Sequence, residues 1–202
     1  RGTQARFTGA AHVDFALPWR HELHVEGADV PHRSLGHELA HVVAGQLSTA
    51  PLRVPSRFVF FHHAAVTEGV AVALTPELSI AGGLTVKEQA AAMRRAGFAP
   101  DTAGLFSGLS FFAESPARSY VAAGAFIESL VARALPDPTR ALTNLYATGS
   151  LDEALGSKEA AAALVQAHDQ HLDLLPLPED AAAIAVARFE RPSLLDDVCR
   201  PA

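Results

Sequence analysis

The chain has 202 residues, 49% of them hydrophobic, which suits one globular domain with a sizeable core, or one domain and a tail. A net charge of −6 with no basic cluster argues against nucleic acid as a partner. Cys199 is the only cysteine, which excludes an intrachain disulfide and a cysteine-based zinc site. Residues 5–26 carry Phe7, Val13, Phe15, Leu17, Leu23 and Val25 in partial alternation, predicting two or three short strands split at Pro18 and Trp19. Helical periodicity follows over 31–47, 64–76, 86–97, 102–112, 117–134, 138–147, 158–172 and 178–190, with Pro- or Gly-bearing loops between. The expected class is α+β, mostly α-helical, with a small N-terminal sheet ahead of a helical bundle. The apolar stretch 64–86 is broken by Glu68, Pro76, Glu77 and a Gly pair, so no transmembrane segment is predicted.

Within the 31–47 helix, His37-Glu38-Leu39-Ala40-His41 spells HExxH. Positions i and i+4 lie on one helical face, one turn apart, so both imidazoles can point at one metal ion. Glu38 stands beside them, where it can hold a water and take its proton. A shuffled chain of this composition carries such a match about 0.03 times, which makes coincidence the weaker reading. Leu35, Leu39, Val42, Val43 and Leu47 recur at spacings of three and four. They predict an apolar stripe against a core, leaving two partly buried histidines in need of partners. Pro31 suits a first turn, with Asp29 or Ser34 as the cap. A catalytic zinc takes three protein ligands and keeps one open position, so a third ligand must come from elsewhere.

Metzincins supply it within HExxHxxGxxH, but Ala44 and Leu47 hold the two required positions, and that pattern fails. Downstream, Glu68-Gly69-Val70-Ala71 reads EGxA. HExxH followed by EGxA resembles the gluzincins, zinc peptidases whose third ligand is a distal glutamate on a following helix. Thermolysin and one-domain bacterial aminopeptidase-like enzymes belong to that group. The resemblance implies one Zn²⁺ per chain, held by His37, His41 and Glu68, with Glu38 as general base. Residues 119–130, from Ser119-Tyr120 through Phe126 to Leu130, look like a third gluzincin helix. Residues 145–156, ending Leu151-Asp152-Glu153-Ala154-Leu155-Gly156, resemble the closing segment of such domains. The likeness spans 21–172. It implies N-terminal strands of the catalytic domain over 1–30 and a helical catalytic domain over 31–175. Residues 176–202 are then a C-terminal helix and tail that could lead to a further domain. Residues 21–26 would be the strand whose edge holds an extended peptide, a physically natural mode of binding.

The expected reaction is peptide-bond hydrolysis of a peptide or protein substrate. Glu38 takes a proton from the attacking water and returns it to the leaving amine. A second electrophile usually steadies the developing oxyanion. Many gluzincins use a tyrosine or histidine downstream of the third ligand, and Tyr120 is the candidate here, with Tyr146 as runner-up. The other histidines read as structural or solvated: His32 in a first turn, His62 and His63 in a loop before the Glu68 helix, His168 and His171 on a late helix face. A cleft role for His62 or His63 stays open, as does adventitious metal binding at His168 and His171. Asp101 and Glu114 are available to orient the histidines through their other ring nitrogens, though nothing singles them out. No Gly-rich exopeptidase motif occurs in 1–36, which favours an endopeptidase. The first residue, Arg1, suggests a leader or anchor upstream and an envelope or secreted location. Two other readings compete: a catalytically inactive zinc- and peptide-binding module of a larger envelope protein, and a helical interaction domain. The intact Glu38 favours hydrolysis over the first, because binding alone does not need it.

Overall fold

The computed structural model describes residues 14–25, 34–57, 61–107, 110–133 and 137–190. Strands β1 (Phe15–Leu17) and β2 (Glu22–His24) pair antiparallel with Ala16 opposite Leu23. The break falls at Pro18 and Trp19, as the sequence predicts. Helix α1 (Leu35–Ala44) follows and tightens into a 3₁₀ turn over Gly45–Leu47. Gln46 Nε2 meets His21 Nε2 at 3.0 Å, tying the end of α1 to the β1–β2 turn. A second antiparallel pair, β3 (Ser56–Arg57) and β4 (Phe61–His62), leads into α2 (Ala64–Leu74). Strands of two residues are too short to leave a period in the sequence, and this hairpin was not among the predicted strands.

The remaining elements are helical. A 3₁₀ turn at Pro76–Ser79 precedes α3 (Val86–Arg95), which opens on a capping box between Thr85 and Glu88. The predicted 102–112 helix is instead two short pieces, α4 (Thr102–Leu105) and α5 (Ser110–Ala113). Gly104 is a weak helix former, and the Ser107 hydroxyl donates to the Gly104 carbonyl, which competes with the helical ladder. Helix α6 (Pro116–Arg133) is the longest. Helix α7 (Pro138–Thr148) starts behind the Asp137 cap and stops at Gly149, which is left-handed. A short α8 (Leu151–Leu155), absent from the predicted helices, then leads to α9 (Lys158–Leu174) and α10 (Ala181–Phe189). The class is α+β and mostly helical, with a small two-stranded N-terminal sheet and a helical bundle. Among the described residues no helix is long and apolar enough to cross a membrane.

Helix α6 is the common wall of two apolar clusters. Phe126, Ile127 and Leu130 join Val66 and Val70 of α2 and Leu145 and Tyr146 of α7 in the first. Val121 and Ala125 join Met93 of α3, Leu172 of α9 and Ala185 and Phe189 of α10 in the second. The tightest seam lies between α2 and α6. A Cβ on Gly69 would sit 3.0 Å from the Ala123 backbone, and one on Gly124 would overlap Val72 Cγ1. Two glycines therefore let these helices approach closely, and Glu68 is held within reach of α6.

Helix α1 faces opposite to the prediction. Leu35, Leu39 and Val43 are exposed, at 36%, 48% and 57%, whereas Glu38, Ala40, His41 and Ala44 are buried. The reason is geometric. Position 39 lies about 200° around the helix from position 37, so turning His37 and His41 toward α2 forces Leu39 outward. Ser34 holds the N-cap position without a side-chain capping bond. Asp29 and Pro31 lie outside the described residues.

Candidate metal centre

Two helices build the site. Helix α1 delivers His37 and His41 from adjacent turns, and α2 brings Glu68 in from the opposite side. Glu68 Oε2 lies 3.2 Å from His37 Nε2 and 3.3 Å from His41 Nε2. The two Nε2 atoms face each other at 3.2 Å. The three donor groups form a compact cluster that could hold a metal ion. Two imidazole nitrogens turned toward each other and toward one carboxylate oxygen cannot all be matched by protons, and a shared cation suits them better. His41 Nδ1 is buried without a partner among the described residues. The orienting partner expected at that nitrogen is therefore not found. Asp101 instead caps α4 through the Gly104 amide, and Glu114 pairs with Arg118.

The local field divides the two glutamates. Burial pushes the Glu38 carboxyl up, His41 and His37 pull it back, and Glu68 and Asp14 add to the rise, so its pKa lies above the usual value. Burial also acts upward on Glu68, but its hydrogen bonds to His37 and His41 and their positive charge outweigh it and bring it down to about 2. Burial lowers the His41 pKa, yet the bond to Glu68 and the charges of Glu68 and Glu38 leave it raised.

Tyr120, on α6, stacks its ring on His37 with centroids 6.1 Å apart and planes at 25°. Burial, the Glu68 charge, a hydrogen bond with Glu68 and the Glu38 charge all raise its pKa. The phenol stays protonated and is a donor, with Glu68 as its acceptor. Tyr146, the runner-up, is fully buried in the first cluster, and its hydroxyl has no partner among the described residues. It does not line the cleft, which measures about 320 Å³ and runs past His37, Glu38, His41, Glu68 and Tyr120.

The histidines outside the cluster differ from expectation. His63 is buried, caps the start of α2 and packs its ring against Gly149, so it is not in a solvated loop. His62 lies in β4; its side chain, like all of His32, is outside the described residues. His168 is buried at 2% exposure, bonded to Ser129 and edge-on to Phe126, not on a solvated face. His171 is partly buried. Asp14, Ala16, Pro18 and Trp19, from β1 and the turn after it, line the cleft, while none of residues 21–25 does. Leu52 and Val54 complete its apolar wall. None of these six carries a motif, and only packing identifies them. A larger cavity of about 700 Å³ shares no residue with this site, and its Arg94 is already paired with Asp169 and Asp173.

No protein-family model, curated protein or solved structure matches this chain. The chemistry must be read from the cluster itself.

Proposed function

We propose that the chain is a zinc metallopeptidase of gluzincin type. The observation that carries the reading is the triangle of donor atoms, with sides of 3.2, 3.2 and 3.3 Å. In a tetrahedral zinc site with bonds of 2.0–2.1 Å, neighbouring ligand atoms stand about 3.3 Å apart. Two nitrogens and one carboxylate oxygen are also a common catalytic zinc set. His37, His41 and Glu68 would hold the ion, one per chain. When bound, zinc makes a water acidic enough to yield its proton near neutral pH and polarises a carbonyl.

The residues of the chain supply the rest. Glu38 has its pKa raised by burial, which makes it a stronger base. It takes the proton of the attacking water and delivers it to the leaving nitrogen as the C–N bond breaks. Tyr120, held protonated, donates to the oxygen that gains charge as the carbonyl carbon becomes tetrahedral. The apolar wall of Trp19, Leu52 and Val54 displaces water from the substrate. The substrate is a peptide or protein, and an internal bond is the favoured target.

Elemental analysis of the purified protein beside His37→Ala and Glu68→Ala tests the metal. One zinc per wild-type chain, lost in both variants, is the expected result. No zinc in any sample after incubation with added metal would end the reading. Zinc without cleavage of a peptide library, indistinguishable from Glu38→Gln, would make the domain a binding module instead.

A further inference from the structure

The metal cluster opens in two directions. Beyond Tyr120 lies a second cavity of about 290 Å³, which shares His37 and Tyr120 with the first and is otherwise lined by Val72, Pro116, Ala117, Val121 and Arg188. An extended chain passing the cluster would have one flank against Trp19 and Leu52 and the other against Arg188. Arg188 is the one formally charged side chain among the described residues that line this second cavity. Among the described residues no carboxylate pairs with it, and its guanidinium carbon lies 5.7 Å from the Phe189 ring centroid.

The backbone that carries Arg188 is fixed, while its side chain is exposed. Arg118, in the first turn of α6, is buried and donates from Nε to the Phe189 carbonyl at 2.8 Å and from Nη2 at 2.6 Å. The same Nη2 reaches the Glu190 carbonyl at 3.3 Å. Phe189 is itself fully buried. These contacts dock the last turn of α10 against the helix that carries Tyr120. An exposed guanidinium lining a cavity beside the cluster, with planar forked donors and no carboxylate partner among the described residues, is suited to bidentate capture of a carboxylate.

Building on the metallopeptidase reading, we infer that Arg188 selects substrates bearing a carboxylate on one side of the scissile bond. Two sources share that chemistry: an acidic side chain, or the free C-terminus of the peptide. A basic residue in the last turn of a helix also interacts favourably with the helix dipole. That role would affect stability and leave substrate choice untouched, so selectivity is the property to measure.

The test uses zinc-loaded protein and a mixed peptide library with free-acid and amidated C-termini, with cleavage sites read by mass spectrometry. The wild type should favour a carboxylate at one fixed position by at least about tenfold in kcat/KM over the matching Gln or amide, as expected for a charge-assisted bond. Enrichment of Asp or Glu at that position would identify a side chain. Cleavage at a constant distance from free but not amidated C-termini would identify the terminus. Arg188→Gln should abolish the preference, mainly through KM, and Arg188→Lys should keep part of it, with zinc content and melting temperature near wild type. Cleavage without a carboxylate preference, or a preference that survives Arg188→Gln, would overturn the assignment and leave the metallopeptidase intact. No cleavage by zinc-loaded wild type would remove both.

Discussion

Glu38 and Glu68 carry the same functional group in one cleft, and their surroundings separate them. Glu68 receives two imidazole contacts and stays ionised down to about pH 2. Glu38 is buried at 7% exposure, with its pKa moved the other way. A ligand that stays anionic and a base of raised pKa are what metal-assisted hydrolysis requires. Glu38→Gln should therefore retain zinc and lose roughly 10²- to 10⁴-fold in kcat. Tyr120→Phe should also retain zinc and lose roughly 10²-fold, measured on a peptide that the wild type cleaves. Unchanged turnover in Tyr120→Phe would remove that residue from the chemistry.

His168 gives a second prediction at this scale. Ser129 Oγ donates to the Ala125 carbonyl, so its 2.8 Å contact with His168 requires the proton on Nδ1. Burial lowers the His168 pKa to about 4, with His171, Arg94, Lys87 and Arg133 adding positive charge nearby. The folded value lies below the unfolded value of 6.5, so unfolded chains bind the proton first as the pH falls. The stability this group contributes is complete above pH 6.5 and is lost as the pH drops toward 4, up to roughly 3 kcal/mol. His168→Asn, which does not titrate, should flatten the acid side of the stability profile in denaturant unfolding between pH 7 and 4.5. An identical acid slope in variant and wild type would exclude His168 as its source.

At the scale of elements, the α2–α6 seam decides where the site residues sit. Glu68 is on one side of it and Tyr120 on the other, and the close contact passes through Gly69 and Gly124. Gly124→Ala places a methyl against Val72 and should lower stability by about 1–3 kcal/mol, as overpacking does. Adding Val72→Ala should restore part of the loss, and a double-mutant cycle from thermal melts measures that coupling. At Gly69 the neighbours are the Ala123 backbone and Ile127 Cγ1, all at 3.0 Å, so side-chain truncation can relieve only part of the crowding from an added methyl. Glycine after Glu68 is thus explained by packing between helices. The inverted face of α1 belongs to a different contact, its own packing on α2, toward which it turns His37 and His41 while leaving Leu35 and Leu39 outside.

Across the whole molecule, α10 is joined to the site through α6. The Arg118 bonds to Phe189 and Glu190 connect residues far apart in sequence, and Arg118 also stacks over Phe98 with its guanidinium carbon 5.1 Å from the ring centroid. Arg118→Met should cost about 1.5–3 kcal/mol, the range for hydrogen bonds involving a charged group. The loss should appear as faster amide exchange in 181–189, while α2 and α7 stay protected. Uniform loss of protection would mean that α10 unfolds only with the rest of the chain. Arg94 with Asp173 is an exposed pair and should contribute little by comparison.

What could be read from the sequence acts over short distances. HExxH sets two imidazoles on one face because i and i+4 always share one. The helix starts expected at 86 and 138 match α3 and α7, where the capping bonds of Thr85 with Glu88 and of Asp137 close within a few residues. Helical periodicity was long enough to count in every major helix, though not in hairpin strands of two residues or in α8. Burial was another matter. His63 and His168 look polar in the sequence but lie in the interior, while Leu39 and Val43 look like core and lie outside. The meeting of Glu68 with His37 and His41, the stacking of Tyr120, the β1 edge of the cleft and the placement of Arg188 all depend on which helices pack together. That choice is made by close contacts such as Gly69 against Ala123, between residues too far apart in the chain for any local pattern to record.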